Sequence, residues 1–275
     1  VELQQGLTQS LFMNVHLAQR VIDPLLGCAD LTVGLGDLQA QAFDFELDFG
    51  DDRVEAIDFI GHGYSAKPEH PLEIKHYVDH VFKFMDAIGV EKAYFTGESL
   101  GGWVTARIAS DYPEKVERIV LNTMGGTMAN PAVMERLLTL STEAANDPSW
   151  ERVKARLEWL MADPAMVTDD LIKTRQMIFQ QPEWKMACEM NMALQNPEIR
   201  QRNMLTDDDL RKIQAPAMVL WTTKDPSGPV DEGRRISELI PNGQLAVMEN
   251  CGHWPQYEDT PTFNKLHLDF LLERN

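Results

Sequence analysis

The sequence predicts an α/β fold, a mainly parallel sheet flanked by helices and carrying a helical lid insertion, on three observations. Short apolar strand patterns alternate with helical ones from Val54 to Leu121. The same rhythm returns from Ala217 to Leu272, and the stretch between holds helical patterns without a convincing strand. The expected division is a core domain of residues 1–127 and 207–275 with a helical lid domain of residues 128–206.

Taken in order, residues 1–53 are weakly patterned. Val21-Ile22 and Leu25-Leu26-Gly27-Cys28 read as strand ends, Leu31 to Gly36 holds a glycine-punctuated turn, and Ala40 to Asp52 is acidic. Val54 to Ile60 alternates as a strand into the turn Gly61-His62-Gly63-Tyr64-Ser65. Leu72 to Gly89 is an amphipathic helix with Tyr77, Val81, Phe84, Met85 and Ile88 on one face and Gly89 as its stop. Val90 to Phe95 reads as a buried strand, Trp103 to Ser110 as a helix, and Val116 to Leu121 as a strand of parallel-sheet character.

Helical stretches then follow, separated by Asp147-Pro148, Asp163-Pro164, Gln181-Pro182 and Asn196-Pro197. Met134, Met161, Met166, Met177, Met186, Met190 and Met192 all fall here, and flexible thioethers suit a helical core ahead of an adaptable pocket. The closing elements are a strand at Ala217–Thr222, a helix at Val230–Leu239, a strand at Gln244–Met248 and a helix at Phe263–Leu272.

Composition narrows the function. A formal charge of −18 repels phosphate backbones and anionic lipid, so neither nucleic acid nor a membrane is an expected partner; a small-molecule substrate is, and a homodimer is allowed. Cys28, Cys188 and Cys251 are odd in number and widely spaced, which suits a reducing compartment and lacks zinc-ligand spacing. No apolar run approaches the ~18 residues of a membrane span, and the expected location is the cytoplasm.

The chemistry centres on Gly97-Glu98-Ser99-Leu100-Gly101, a G-x-S-x-G pattern set between a buried strand and a helix. So sharp a turn holds Ser99 Oγ clear of the sheet edge and leaves the Leu100 N–H free to receive developing negative charge. A serine needs a base, and the base needs an orienting acid. In an open α/β sheet these lie in loops at the carboxyl ends of strands. Asp225, after the strand ending at Thr222, and His253, after the strand ending at Met248, meet that condition in the chain order Ser, Asp, His. Asp231 is the rival acid but falls inside the next helix. His76 and His80 lack a third ligand and read as a solvated helix face, and His62 reads as structural.

With these residues placed, the chain resembles the α/β-hydrolase superfamily over residues 54–275. More narrowly, it resembles the meta-cleavage product hydrolases, which break carbon–carbon bonds in aromatic-ring degradation. The likeness lies in Gly97-Glu-Ser-Leu-Gly-Gly102, Asp225-x-x-x-Pro229, Cys251-Gly-His-Trp-Pro-Gln-Tyr-Glu258 running on to Phe263-Asn264, and the lid segment Val167–Arg175. The resemblance implies a 2-hydroxy-6-oxohexa-2,4-dienoate substrate, cleaved to 2-hydroxypenta-2,4-dienoate and a carboxylic acid without metal or organic cofactor. It also implies that Arg175 binds the substrate's carboxylate or 2-oxo end and that Trp254 packs beside the dienoate. The oxyanion hole would then be formed by the Leu100 N–H with a second donor at Cys28 or Ala29. Two departures stand out. The family's His-Gly turn is replaced by Leu25-Leu26-Gly27-Cys28-Ala29, and its asparagine before the nucleophile is Glu98, whose anion would repel a substrate carboxylate unless protonated or paired. A carboxylesterase using the same three residues and a non-catalytic binding protein on this fold remain open alternatives.

Overall fold

The computed structural model describes residues 9–13, 47–48 and 53–273. Its sheet contains β1 (Gln9–Met13), β2 (Leu47–Asp48), β3 (Arg53–Ala56), β4 (Ala93–Glu98), β5 (Val116–Asn122), β6 (Ala217–Thr222) and β7 (Gly243–Met248). The seven strands lie in the order β2-β3-β1-β4-β5-β6-β7. Among the described residues β2 alone runs antiparallel, against β3; the other neighbouring pairs are parallel. The strand expected from Val54 to Ile60 is shorter at its far end, because β3 has β1 as a partner only through Phe12↔Ala56 before the chain enters the Gly61 turn. β1 itself goes unread in the sequence: Gln-Ser-Leu-Phe-Met shows neither clean alternation nor an unbroken apolar run, yet it sits mid-sheet between β3 and β4. The strand ends and turn expected between Val21 and Gly36 lie outside the described residues.

Both faces of the central strands are buried, so their side chains sort by period two. Ile119, Leu121, Val219 and Trp221 enter the main core beside α1 (Ile74–Ala87) and α2 (Leu100–Asp111). Val120, Met218 and Leu220 face the other way, onto Phe263 and Leu271 of the C-terminal helix at Thr260–Leu271. On α1 the expected face holds, with Tyr77, Val81 and Met85 buried together with Ile74 and Val78, while Phe84 and Ile88 are half-buried at its margin. α2 begins three residues earlier than the periodicity predicts, because the serine turn itself is the start of the helix.

Between β5 and β6 the chain is all helical: α3 (Pro131–Asn146), α4 (Trp150–Glu158), α5 (Asp169–Phe179), α6 (Trp184–Asn191) and α7 (Pro197–Asn203), followed by α8 (Asp207–Lys212). The prolines act as starts. Pro131 and Pro197 open their helices behind Asn130 and Asn196, whose side chains accept the first free N–H groups. This segment has its own core of Val153, Leu157, Leu160, Ile172, Phe179 and Trp184. Its methionines are unevenly placed: Met134 and Met161 are buried, Met190 and Met192 pack at core margins, and Met177 is 65% exposed, so it serves neither core nor pocket. Among the described residues no helix is long and apolar enough to cross a membrane.

After β6 come α9 (Val230–Leu239), then β7, α10 (Pro255–Glu258) and α11 (Thr260–Leu271). In α11 the buried His267 stacks on Phe263 at 3.9 Å and donates from Nδ1 to the Phe263 carbonyl at 2.9 Å, while Nε2 meets no partner among the described residues. Burial pushes the imidazolium down to about 4 from its usual 6.5. The folded state therefore binds fewer protons than the unfolded state between these values, and stability falls as pH drops through that window. His267→Leu should remove an acid loss of roughly 3 kcal/mol, read as a flatter denaturant midpoint between pH 6.5 and 4.

Candidate active site

Ser99 stands where β4 becomes α2, at φ 54° and ψ −109°, a conformation disfavoured for a residue with a side chain. Neighbouring backbone enforces it. Ser99 N donates to the Asn122 carbonyl at 3.0 Å, and the Ser99 carbonyl accepts from Trp103 N at 3.1 Å and Gly125 N at 3.0 Å. A Cβ on Gly97 would lie 2.2 Å from the Gly101 carbonyl, so only glycine lets strand and helix approach this closely. Leu100, the first residue of α2, has no carbonyl within the helix for its N–H to meet.

His253 and Asp225 are brought together at the ends of β7 and β6. Nδ1 of the buried His253 donates to Asp225 Oδ1 at 2.9 Å, and the same oxygen accepts from Ser227 N at 2.8 Å, while Ser227 Oγ lies 3.3 Å from Nδ1. The loop is fixed from several sides: Thr222 Oγ1 donates to the Gly252 carbonyl at 2.6 Å, Thr123 Oγ1 to the His253 carbonyl at 3.3 Å, and His253 N to the Leu160 carbonyl at 2.7 Å. Burial alone would lower the His253 pKa, but the Asp225 and Glu98 carboxylates outweigh it and hold the imidazolium above its ordinary range. The rival Asp231 is exposed on α9.

Nε2 of His253, the nitrogen that would take the serine proton, lies 3.1 Å from Glu98 Oε1. That oxygen accepts no hydrogen bond among the described residues, so the contact is electrostatic rather than directed. The Ser99 hydroxyl also forms none of the hydrogen bonds found among the described residues. Burial is the strongest influence on Glu98 and raises its pKa, opposed by His253, Arg156 and Arg175.

Arg175 of α5 lies over the Trp254 ring at 5.6 Å and the Phe179 ring at 5.3 Å. Its Nε and Nη1 are shielded from solvent and meet no partner among the described residues. Arg156 of α4, which the sequence reading did not single out, reaches the same region: Nε donates to Ser141 Oγ at 3.1 Å, the guanidinium sits over Trp159, and Nη1 is shielded and unpartnered. Burial pushes both guanidiniums down to about 10, which leaves them charged near neutral pH. A helical arginine carries no signal in sequence that separates a buried cation from a surface one. Trp254 lies buried within the core of the helical segment.

Other expectations change or fall outside. His76 and His80 are half-buried rather than a solvated face, because each accepts a backbone N–H: Glu73 N to His76 Nδ1 at 2.9 Å and Ile60 N to His80 Nδ1 at 3.3 Å. Buried His62 packs against Phe59 and Tyr77, with Nδ1 at 3.2 Å from the Ile60 carbonyl. The expected second oxyanion donor, Cys28, is outside the described residues.

The sequence profile of the Alpha/beta hydrolase family matches residues 34–265. The chain belongs to that family. Among relatives of this alpha/beta hydrolase, 2-hydroxy-6-oxo-6-phenylhexa-2,4-dienoate hydrolase of Burkholderia cepacia is 34% identical over 191 residues, covering 68% of this chain and 65% of its own length. A 2-hydroxy-6-oxononadienedioate/2-hydroxy-6-oxononatrienedioate hydrolase of Comamonas testosteroni is 31% identical with the same coverage. The match thus spans 65% of the length of these curated relatives. The crystal structure of a meta-cleavage product hydrolase from Pseudomonas fluorescens superimposes with a TM-score of 0.74 at 27% identity, over 98% of this chain and 92% of the other.

One carboxylate ties the histidine loop to the helical segment. Glu258 accepts from Gly252 N at 2.8 Å in the His253 loop and from Ala162 N at 2.7 Å in the helical segment. Glu258→Ala leaves both donors without that acceptor, and it should cost roughly 3 kcal/mol in a denaturant melt.

Proposed function

We propose that this alpha/beta hydrolase cleaves the carbon–carbon bond between C5 and C6 of 2-hydroxy-6-oxohexa-2,4-dienoates, the products of meta ring fission of aromatic compounds. The observation that carries the reading is Arg175, a half-buried residue whose guanidinium Nε and Nη1 are shielded from solvent and unpaired among the described residues, beside Trp254. An unpaired buried charge is costly. A substrate carboxylate offsets that cost through paired, charge-assisted hydrogen bonds, and the adjoining indole gives a conjugated chain a flat wall. A simple ester offers no such anion. The relatives named for dienoate hydrolysis support the same reading.

The roles follow from the chemistry. The hydroxydienoate first becomes its keto tautomer, so that C5 can leave with its electron pair delocalised toward the 2-oxo group. Ser99, or a water activated through His253, attacks the C6 carbonyl. Asp225 keeps the Nδ1–H tautomer of His253 and stabilises the imidazolium that forms. The Leu100 N–H receives the oxyanion, and cleavage releases a carboxylic acid and 2-hydroxypenta-2,4-dienoate. Residues 128–206 act as the lid that closes over this substrate. Free, buried Cys188 and Cys251 support a reducing location, the cytoplasm.

Purified protein should bleach a yellow dienoate and release the acid from C6; failure to bleach any such compound removes the assignment. Arg175→Ala should lower the ratio of dienoate to p-nitrophenyl ester turnover, as kcat/KM, by roughly a hundredfold, the loss of one bidentate charged contact. An unchanged ratio would favour the carboxylesterase reading.

A further inference from the structure

Glu98 is the residue the fold places most deliberately and the serine mechanism leaves idle. It ends β4, one position before Ser99, and is 5% exposed. Its Oε1 lies 3.1 Å from His253 Nε2 yet has no hydrogen bond among the described residues. The ionisable groups acting on it are His253 and Asp225 from the strand-end loops, Arg156 from α4 and Arg175 from α5. A carboxyl placed there is too close to the catalytic nitrogen to be neutral toward its proton, and it lies within the electrostatic reach of two arginines that carry shielded, unpaired N–H groups.

Resting on the dienoate reading, we propose that Glu98 is a catalytic acid which, with His253, carries out the tautomerisation that precedes carbon–carbon cleavage. Once the His253 imidazolium has passed its Nε2 proton to the Glu98 carboxylate across the 3.1 Å contact, the neutral Glu98 carboxyl gives its proton to C5 as the C4=C5 electron pair takes it up. The C2=C3 pair moves to C3=C4, and the O–H pair of the enol becomes the second bond of the C2 carbonyl. That enol proton passes to Nε2 of His253. The imidazolium then returns a proton to the Glu98 carboxylate across the 3.1 Å contact, which restores the acid and frees Nε2 for the serine step. Atoms and charge balance, and no other reactant enters. A Glu98 that holds the proton would also not repel the substrate carboxylate, and burial raises its pKa in that direction.

The test uses Ser99→Ala, which separates tautomerisation from cleavage, with 2-hydroxy-6-oxo-6-phenylhexa-2,4-dienoate in stopped flow at enzyme excess. Ser99→Ala should bleach the dienoate without releasing benzoate and, in deuterium oxide, should place one deuteron at C5. Adding Glu98→Gln should slow that bleaching by roughly a hundredfold, the usual contribution of a positioned general acid, and Glu98→Asp should recover part of the rate. Glutamine keeps the shape and removes a buried ionisable group, so a retained thermal transition shows the variant is folded. Bleaching by the Ser99→Ala, Glu98→Gln protein at the Ser99→Ala rate overturns the proposal, as does a Ser99→Ala protein that never bleaches. If the unaltered protein leaves the dienoate yellow, the proposed function falls first and this step with it; bleaching by the unaltered protein that Glu98→Gln does not slow removes this step alone.

Discussion

The hydrogen bond from His253 Nδ1 to Asp225 Oδ1 is the contact around which the carboxyl edge of the sheet is arranged. Neither residue lies in a strand, so their 2.9 Å separation depends on the loops that carry them. Those loops are fixed by the strands beneath: Thr222, the last residue of β6, holds the Gly252 carbonyl, and Thr123, just past β5, holds that of His253. A parallel sheet makes this efficient, since consecutive strands finish at one edge and present their loops side by side. The same register brings Glu98 of β4 opposite Asn122 of β5, whose carbonyl holds Ser99 N. Strand pairing thus aligns the serine turn and the histidine loop without long-range side-chain contacts having to find one another unaided.

Much of this edge is legible in the sequence because it depends on local rules. β6 and α9 match their expected limits, since an unbroken apolar run and a helix bounded by proline admit few other readings. Gly97 announces the serine turn because only glycine survives its approach to the Gly101 backbone, and chain order then places Asp225 and His253. What the sequence conceals is tertiary. Arg156 looks like any helical arginine until α4 packs its guanidinium inward, and the backbone acceptor roles of His76 and His80 arise from turns that periodicity does not reveal. β1 is hidden for a different reason: a short mixed-polarity segment becomes a central strand only because β3 and β4 leave a place between them.

Charge closed off from water sets a second constraint. Arg156, Arg175 and His253 face Glu98 and Asp225 in a region where Coulomb interactions are only partly screened. With His253 and Glu98 both charged, three cations meet two anions; passing one proton from His253 to Glu98 leaves two cations and one anion. In either arrangement one positive charge is uncompensated. A monoanionic ligand would bring the cluster to neutrality, so the electrostatics favour an anion. The excess belongs to the cluster as a whole, and an internal proton shift can therefore proceed without altering the attraction for such a ligand.

The helical segment is not an accessory resting on this edge but part of its construction. Trp254, the residue after His253, is buried in that segment's own core with Leu160, Phe179 and Trp184, while the Leu160 carbonyl accepts from His253 N. Gly252 is what permits this contact, because a Cβ there would lie 2.5 Å from both the Leu160 carbonyl oxygen and Ala162 N. The backbone of the histidine loop is consequently shared between two cores, the sheet's through Thr222 and Thr123 and the helical segment's through Leu160 and Trp254. Displacing Leu160 from the sheet edge would therefore either break its bond to His253 N or carry His253 with it.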